Sequence, residues 1–350
     1  MTRKRIIAAA LLASAATAMM HLRPTLPATV AAAVVGPSGT GDGPVPPPPR
    51  PEVAAHPFAP ALLGQSVAIG DVALPASEAS GLAASRRYPG VFYWLRDGGG
   101  ATVQRPRAAL WAIKVGDDGH SRPVRRGENF PFAGVFSAAN GDWEDIVVDD
   151  DDNLWIGDIG ANDCKAKQHL FKTLEPDPDT DDPFVVTAKY PVAFPDPAQG
   201  CRTRNAEAML WLDGDLYIFA KGPRSPLYRV ELPDHSGDDA ELEPVGQFAS
   251  TVNRISVSTL SDDRTRLVLA SHAIYWVYET DPDLEGDDLL RDAMKRTPRY
   301  VGTFPEQNGK AAAVEGGSYL PDSHQVLFVA ENKQVFLLPD EPAAPPASAR

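Results

Sequence analysis

Cysteine and positive charge are both scarce in this sequence of 350 residues. It contains two cysteines, Cys164 and Cys201, and 33 basic residues against 47 acidic ones, which gives a formal net charge of −14. An acidic chain of this kind is a poor candidate for general nucleic-acid binding, because nucleic acids are held by clustered Lys and Arg. We therefore expect no nucleic-acid partner.

Local catalytic motifs are also absent. The sequence has no G-x-S-x-G nucleophile elbow, no H-E-x-x-H metal-binding helix, no C-x-x-C pair and no phosphate-binding loop. Gly309 and Lys310 lack the glycine spacing and the Ser/Thr that such a loop requires. A function of this chain must therefore come from residues that are distant in sequence, and no cofactor is predicted.

Long apolar runs are limited to the N-terminus. Arg3, Lys4 and Arg5 precede the segment IIAAALLASAATAMM, a pattern typical of a secretory signal peptide. The apolar segment is short for a membrane span, which needs about 20 residues, although an uncleaved anchor is the alternative. No cysteine is near enough to serve as a lipoprotein anchor. We expect a secreted or periplasmic protein that has no membrane span after signal removal.

Low-complexity segments flank the region that can fold. We assign residues 1–35 to a signal peptide with a small-residue leader, and residues 36–60, which are rich in Pro and Gly, to a linker. Residues 340–350 form a second Pro- and Ala-rich segment that is predicted to be a disordered tail. The folded domain is therefore predicted over residues 61–339.

An internal repeat organises that domain. The segment DWEDIVVDDDDNLWIGDIGAND at residues 142–163 has related segments that start at Asn205 and Lys310, with weaker copies at Glu78 and Ile255. Each copy combines short apolar strands with polar turns, at a period of about 50–65 residues, which is typical of a β-propeller. We predict an all-β propeller with five four-stranded blades.

Closure of the ring is predicted from the two ends of the domain. The last copy offers three strands, and Ser66–Val72, SVAIGDV, is predicted to pair with them as the missing outer strand. Six blades is the alternative, if residues 105–140 contain a further unit. In this layout Cys164 and Cys201 both lie in connections on one face, called the top. In an exported chain we expect them to form a disulfide, with two free thiols as the alternative.

Charged residues are predicted to divide between the two faces. The bottom loops carry mostly Asp and Glu, whereas the top loops carry both signs. The top rim near the axis combines the starts of innermost strands with the ends of second strands. Its candidate ligand-binding residues are Arg96, Asp97, Asp142, Asp158, Asn162, Asn205, Lys221, His272, Lys310 and Glu331. The structural alternative is that Asp142 and Asn205 hydrogen-bond to turn backbones.

Glu144 and Glu207 are the candidate catalytic residues, because they lie one position inside the innermost strands and should point into the channel. Two carboxyl groups whose pKa values differ can serve as acid and base. At the bottom, the acidic run 149–153 has the alternating oxygens of a calcium loop, but Leu154 replaces the required glycine. A weak calcium site with residues 177–182 is an alternative to a role in solubility, and the identity of any metal stays open.

The motifs EASGL, DWEDI, IGDIGAND, NAEAM and VAEN resemble those of exported bacterial propeller proteins related to TolB-like propellers and to the "esterase-like activity of phytase" group. The resemblance covers residues 78–338, and DWEDI with IGDIGAND is its most specific part. It implies a propeller with a rim of carboxylates, of which Glu144 and Glu207 are kept. The last copy departs from the pattern, since Lys310 stands where the family has an acidic residue. The resemblance implies no particular reaction.

Three functions are compatible with this layout. In the first, the top funnel binds an anionic small molecule or glycan, which Arg96, Lys221 and Lys310 hold and Glu144 and Glu207 orient. In the second, the two glutamates are the acid and base of a hydrolase, either a phosphoesterase or a glycosidase. In the third, the top face is a scaffold for a protein partner. The protein is expected to be a monomer.

Overall fold

A computed structural model of the chain describes most of the predicted domain. The described residues are 61–65, 79–97, 110–115, 121–125, 132–134, 141–161, 168–180, 184–195, 205–222, 225–249, 251–306, 309, 311–332 and 334–340. Cys164, Cys201, Asn162 and Lys310 lie outside these ranges, so the disulfide and the roles assigned to these residues stay predictions. Ser66–Val72 also lies outside them.

The described residues form 21 β-strands and one α-helix. In chain order these are β1 Ala61–Gln65, β2 Ala79–Ala84, β3 Val91–Arg96, β4 Leu110–Val115, β5 Ser121–Arg125, β6 Phe132–Gly134, β7 Asp145–Val148, β8 Asn153–Asp158, β9 His169–Leu174, β10 Phe184–Ala193, β11 Ala206–Leu212, β12 Asp215–Ala220, β13 Pro226–Glu231, β14 Ala240–Gln247, β15 Val257–Leu260, β16 Arg266–Ala270, β17 Ile274–Glu279, α1 Gly286–Lys295, β18 Tyr300–Thr303, β19 Val314–Tyr319, β20 Val326–Ala330 and β21 Gln334–Leu338. The apolar runs between turn residues in each repeat predict most of these strands to within one or two residues.

Sequence neighbours pair into four-stranded antiparallel groups, which are β2–β5, β7–β10, β11–β14 and β15–β18. A parallel bridge between β10 and β14 joins two of these groups at their outer edges. A further sheet has the order β1-β21-β20-β19. The innermost strands contact one another in a closed cycle, from β2 through β7, β11, β15 and β19 back to β2. This arrangement confirms the predicted β-propeller. The number of blades also depends on residues outside the described ranges and stays a prediction.

An N-terminal strand completes the last sheet, but it is not the strand that was predicted. β1 pairs antiparallel with β21, with Leu62 opposite Phe336. The prediction gave this position to Ser66–Val72, whereas the segment ALLGQ, five residues earlier, occupies it. ALLGQ is too short to show a clear period of two, so the alternation in SVAIGDV favoured the wrong segment. Pairing from the N-terminus still covers the edge of β21, as a propeller requires.

Polar side chains of the innermost strands hydrogen-bond from each sheet to the next. Asp145 on β7 accepts a 2.6 Å hydrogen bond through Oδ2 from the Met209 N–H of β11. The other bonds around the ring are Ser80 Oγ to the Glu144 carbonyl (2.5 Å), Ser258 Oγ to the Met209 carbonyl (2.8 Å), Ser256 Oγ to the Val314 carbonyl (2.8 Å) and the Ala84 N–H to Ser318 Oγ (3.1 Å). Every neighbouring pair of innermost strands is linked in this way. Buried polar groups that are paired favour one unique arrangement of the strands.

Aromatic side chains fill the space between the sheets. Trp155 of β8 stacks on Tyr190 of β10 and on Trp211 of β11, with ring centroids 6.0 and 6.2 Å apart. Trp94 of β3 and Trp111 of β4 stack at 4.7 Å. Aromatic pairs of this kind contribute about 0.5–1.5 kcal/mol each beyond the burial of their area. The innermost strands are therefore held from outside by a packed core.

The helix α1 was not predicted. The acidic segment that starts at Asp281 was predicted to be a bottom loop, because it lies between two predicted strands of the fourth repeat. Asp287 and Asp288 lie in the first turn of α1, where negative charge is favourable. The buried residues of α1 are Leu289, Leu290 and Ala293. Within the part of the chain that the structure describes, no helix has the length and apolar character that crossing a membrane requires.

Candidate functional site

Three glutamates lie at one mouth of the propeller axis, where the innermost strands begin. Glu144 directly precedes β7, Glu207 is the second residue of β11, and Glu315 is the second residue of β19. At Glu207 and Glu315 a β-bulge interrupts the pairing with the next strand, and a bulge changes the direction of the extra side chain. All three glutamates are buried, with 2%, 3% and 5% exposure. Related positions of three repeats therefore bring carboxyl groups toward the axis.

Glu207, His272 and Glu315 form the first cluster at this mouth. His272 follows β16, and its Nε2 lies 2.9 Å from Glu315 Oε1 and 4.0 Å from Glu207 Oε2. Lys221 follows β12, and its Nζ contacts Glu207 Oε1 directly. The Val314 N–H donates a 3.1 Å hydrogen bond to the His272 carbonyl oxygen, which ties the histidine to the strand of Glu315. Side chains from three repeats therefore meet at one point.

Several buried atoms at this mouth have no hydrogen-bond partner among the described residues. They are Glu144 Oε1, Glu207 Oε2, Glu315 Oε2 and His272 Nε2. The 2.9 Å approach of His272 to Glu315 is therefore close, but it lacks the direction of a hydrogen bond. An unpaired buried polar group costs about 1–3 kcal/mol, and a charged group costs more. Such groups in a folded protein call for an explanation, such as a catalytic role or a bound ion.

Asp97, Asp142 and Glu144 form the second cluster. Each offers one carboxylate oxygen, and these oxygens all lie within 4.8 Å of one another. Asp158 positions this cluster, because its Oδ1 accepts a 2.7 Å hydrogen bond from the Asp142 N–H. Gly160 lies so close that an added Cβ would overlap Glu144 Oε1 and the Asp142 carboxylate. A glycine is therefore required beside the two acids.

The surroundings of Glu144 favour its protonated form. Burial raises the pKa of Glu144 well above its ordinary value, and the negative charges of Asp97, Asp142 and Glu315 raise it further. The positive charge of Lys221 lowers this pKa in part. Because Glu315 and Lys221 belong to the first cluster or contact it, the two clusters form one electrostatic site. A buried carboxyl with a raised pKa is a common property of catalytic acids.

The structure brings together six of the ten predicted site residues that it describes. The predicted residues in or in contact with the two clusters are Asp97, Asp142, Glu144, Glu207, Lys221 and His272. Asn205 has the structural role of the alternative interpretation, since its Oδ1 accepts a 2.7 Å hydrogen bond from the Ala161 N–H. Arg96 ends β3 and Glu331 follows β20, and both are partly buried.

Glu315 is the site residue that the sequence prediction missed. The last innermost strand was predicted at Ala311–Gly316, three residues too early, and Lys310 was assigned to its rim position. Ala313 has a φ of +55°, so the regular strand begins only at Val314. A signal was present, because the triplets W-E-D, A-E-A and V-E-G start three innermost strands. Alignment of these glutamates would have identified Glu315.

A cavity of about 590 Å³ lies at the opposite mouth of the axis. Its lining includes Arg86 and Asp150, which pair at 2.6 Å, and Arg264 and Asp213, which pair at 2.8 Å. Trp211 also donates a 2.9 Å hydrogen bond from Nε1 to Asp150. Both arginines of the lining are therefore paired with an aspartate. Although this cavity is large, the unpaired buried carboxylates lie at the other mouth, and we place the candidate site with them.

The carboxylate of Asp149, in the acidic run at the bottom, is occupied by hydrogen bonds and an ion pair within the protein. Its carboxylate accepts hydrogen bonds from the Asn153 N–H (2.8 Å) and from Trp155 Nε1 (2.9 Å), and it lies 3.1 Å from Lys172 Nζ. Burial alone would raise the pKa of Asp149, but these bonds outweigh burial and lower it. The contacts support a structural role for Asp149, in which it stabilises the turn between β7 and β8.

Comparisons with known proteins give a likeness to propeller structures only. No protein-family profile matches the sequence, and no curated protein matches it. Sqt1 from Chaetomium thermophilum is similar at 10% identity and a TM-score of 0.33, over 73% of this chain and 58% of that chain. The β-propeller domain of Cps50 (Swd1) from Myceliophteria thermophila is similar at 10% identity and a TM-score of 0.29, over 72% of this chain and 68% of that chain. At these values the comparisons carry no argument about function, and the propeller assignment rests on the order of the strands.

Proposed function

We propose that the mouth formed by the two clusters binds a small anionic ligand or glycan outside the cytoplasm. The observation that supports this most is the convergence, beside Lys221, of buried atoms that lack partners among the described residues. Carboxylate oxygens accept hydrogen bonds from sugar hydroxyl groups, and a Lys ammonium pairs with an anionic group. An acidic sugar offers both kinds of group to one site.

The balance of charge at the mouth narrows the ligand. Carboxyl groups outnumber the cationic side chains in the two clusters, and Lys221 already contacts Glu207. A compact anion with no hydroxyl donors would face this excess of negative charge at close range, where the local dielectric constant is low. A sugar acid presents hydroxyl groups to the carboxylates and a single anionic group to Lys221. The N-terminal signal pattern and the resemblance to exported propellers support a location outside the cytoplasm.

Lys221→Met is expected to weaken binding of an acidic oligosaccharide at least about tenfold, because an ion pair contributes more than about 1.4 kcal/mol in a partly buried site. Calorimetry with galacturonic acid oligomers would measure this loss. Galactose oligomers lack the carboxylate, and their weaker binding is expected to change little.

Lys295→Met is the matched control for this experiment, since Lys295 is exposed on α1, a helix that packs on the outer strand β14. Its affinity for both oligomers is expected to equal that of the unchanged protein. If neither oligomer binds, or if Lys221→Met binds the acidic oligomer unchanged, the proposed ligand class is wrong.

A hydrolase is the second candidate function, and the raised pKa of Glu144, which responds to the charges of Glu315 and Lys221 in and beside the first cluster, favours it. Glu144 would donate a proton to the leaving group, and Glu207 would act as base or nucleophile. Because a raised pKa keeps the acid protonated, activity is expected to decline as the pH rises through the pKa of Glu144. Glu144→Gln is expected to lower turnover of aryl glycosides or aryl phosphates about 10²–10⁴-fold.

Glu241→Gln is the control for this substitution. Glu241 is exposed on β14, so its replacement is expected to leave turnover unchanged. Equal turnover by the Glu144→Gln variant and the unchanged protein would exclude this role.

The scaffold hypothesis has less support, since only four large apolar side chains of the described part are exposed. A protein-binding surface usually exposes a contiguous apolar patch.

A further inference from the structure

We propose that Glu207, His272 and Glu315 bind one divalent transition-metal ion of the Zn²⁺ class. Each residue offers one ligand atom, and the three atoms lie within 4.8 Å of one another. The residues come from three different repeats, so the site exists only when the ring is closed. The ion is a separate prediction from the ligand proposed above, and it can be measured with the metal alone.

The unpaired atoms of the cluster are the ones that a metal ion would use. Glu207 Oε2 and Glu315 Oε2 are buried and have no hydrogen-bond partner within the described ranges, and their side chains are 4% and 6% exposed. His272 Nε2 is buried and unpaired in the same sense. A buried carboxylate oxygen without a partner is costly, because desolvation of the charge is only repaid by close partners, and Lys221 contacts Glu207 through Oε1. One cation between the three residues would supply a partner to all three atoms.

The distances also fit such an ion. Zn²⁺ binds nitrogen and oxygen ligands at about 2.0–2.2 Å, which places two ligands of a tetrahedral site about 3.4 Å apart. His272 Nε2 lies 2.9 Å from Glu315 Oε1 and 4.0 Å from Glu207 Oε2. These distances lie on either side of the tetrahedral value. Rotation of the Glu315 carboxyl, which brings Oε2 rather than Oε1 toward the histidine, is expected when the ion binds.

The kinds of ligand select the class of ion. Ca²⁺ and Mg²⁺ prefer oxygen ligands throughout, whereas an imidazole nitrogen with carboxylates suits Zn²⁺ and neighbouring transition metals. Two carboxylates also balance the charge of one divalent ion. Three protein ligands leave the fourth position of a tetrahedral ion open, as in catalytic rather than structural zinc sites. The side chain of His272 is 41% exposed, which provides a route for the ion to enter.

Lys221 leaves this arrangement intact. Its Nζ contacts Glu207 Oε1, whereas the metal would use Glu207 Oε2, so one carboxylate serves two cations. Groups that bond to the far side of a metal ligand fix its orientation. The hydrogen bond from the Val314 N–H to the His272 carbonyl similarly fixes the histidine next to Glu315. The cluster is therefore oriented before an ion arrives.

Titration of the chelator-treated full-length chain with Zn²⁺ in a calorimeter tests this site. One ion is expected to bind per chain, with Ca²⁺ and Mg²⁺ at least about a hundredfold weaker. His272→Ala and Glu315→Gln are each expected to weaken Zn²⁺ binding at least about tenfold. His235→Ala and Glu241→Gln, at exposed positions, are the matched controls and are expected to bind as the unchanged protein does.

Two further measurements keep the outcome decisive. The double variant Cys164→Ser, Cys201→Ser is expected to retain the site, and bound Co²⁺ is expected to show a spectrum without thiolate charge transfer, because the ligands are nitrogen and oxygen. Circular dichroism shows whether each variant folds. If His272→Ala does not fold, the Zn²⁺ affinity of the isosteric Glu315→Gln variant tests the site. Absence of stoichiometric Zn²⁺ binding, unchanged binding by the folded cluster variants, or loss in the cysteine variant would overturn the proposal. The oligosaccharide experiment can be distinguished from this one, because it measures binding of a sugar acid and responds to Lys221→Met.

Discussion

Gly81→Ala is expected to lower the free energy of unfolding by about 2–5 kcal/mol, the sum of a conformational and a packing cost. Gly81 on β2 has a φ of +62°, a left-handed conformation that costs other residues about 1–2 kcal/mol. Its added Cβ would also lie 2.8 Å from the Asp145 Cα and 2.9 Å from the Ile146 amide nitrogen. Overpacking of this kind costs about 1–3 kcal/mol. Urea denaturation followed by tryptophan fluorescence would measure the change.

Gly214→Ala is the matched control for Gly81→Ala. Gly214 has a φ of +88° in the turn between β11 and β12, and nothing lies within 4 Å of its added Cβ. It therefore carries the conformational cost alone, about 1–2 kcal/mol. If the Gly81 variant were no less stable than the Gly214 variant, β2 and β7 could separate without cost. Close approach of the innermost strands would then not be needed for stability.

The close approach of the innermost strands around Gly81 could not be predicted from the sequence. An added Cβ at Gly316 on β19 would lie 2.7 Å from the Gly81 carbonyl carbon, so three innermost strands approach one another around Gly81. The motif EASGL identified a strand at this position, because turns and apolar residues flank it. It gave no reason for the glycine, since the neighbours of Gly81 are 60 or more residues away and meet only in the closed ring.

Strand positions could be predicted because they depend on local pattern. Apolar runs between turn residues predict strands at Tyr300–Thr303 and Val326–Ala330, and the structure has strands with these bounds. The helix α1 was missed, because its apolar face consists of a few residues within an acidic segment and is stabilised by packing on β14. Tertiary packing of this kind outweighs a local pattern of charge.

The sequence predicted several residues of the candidate site, but it did not predict their charge states. Glu144, Glu207 and His272 were expected at the axial mouth, and the structure brings them there. The sequence also predicted a mouth suited to anions, on the basis of Lys and Arg in the top loops. A count of charges treats every group as ionised and unpaired, whereas burial favours protonation of Glu144 and Glu207 neutralises Lys221. The electrostatic potential that a ligand meets depends on how deeply each charged side chain is buried and on its ion-pair partners, and both are set by the folded ring.

Asp145→Ala is expected to lower the free energy of unfolding by about 2–6 kcal/mol, because two buried N–H groups would each lose their acceptor at about 1–3 kcal/mol. Asp145 accepts a 2.6 Å hydrogen bond from the Met209 N–H and a 2.8 Å hydrogen bond from the Ile146 N–H. The first bond joins β7 to β11. Urea denaturation would measure the loss, and Asp239→Ala, at an exposed position, is expected to change stability by no more than about 0.5 kcal/mol.

Asp145→Asn separates hydrogen bonding from ionisation. The asparagine amide accepts through one oxygen only, so one N–H stays unpaired and a cost of about 1–3 kcal/mol is expected. Burial raises the pKa of Asp145 well above its usual value of about 4, and the bonds from Met209 and Ile146 offset only part of this rise. Stability from a carboxyl with a raised pKa is complete below its unfolded pKa and is lost as the pH rises through the folded pKa. Asparagine does not titrate, so the stability difference between the two proteins is expected to shrink with rising pH. A difference that instead grew with pH would mean that the fold prefers Asp145 ionised, and the bond between β7 and β11 would then be charge-assisted.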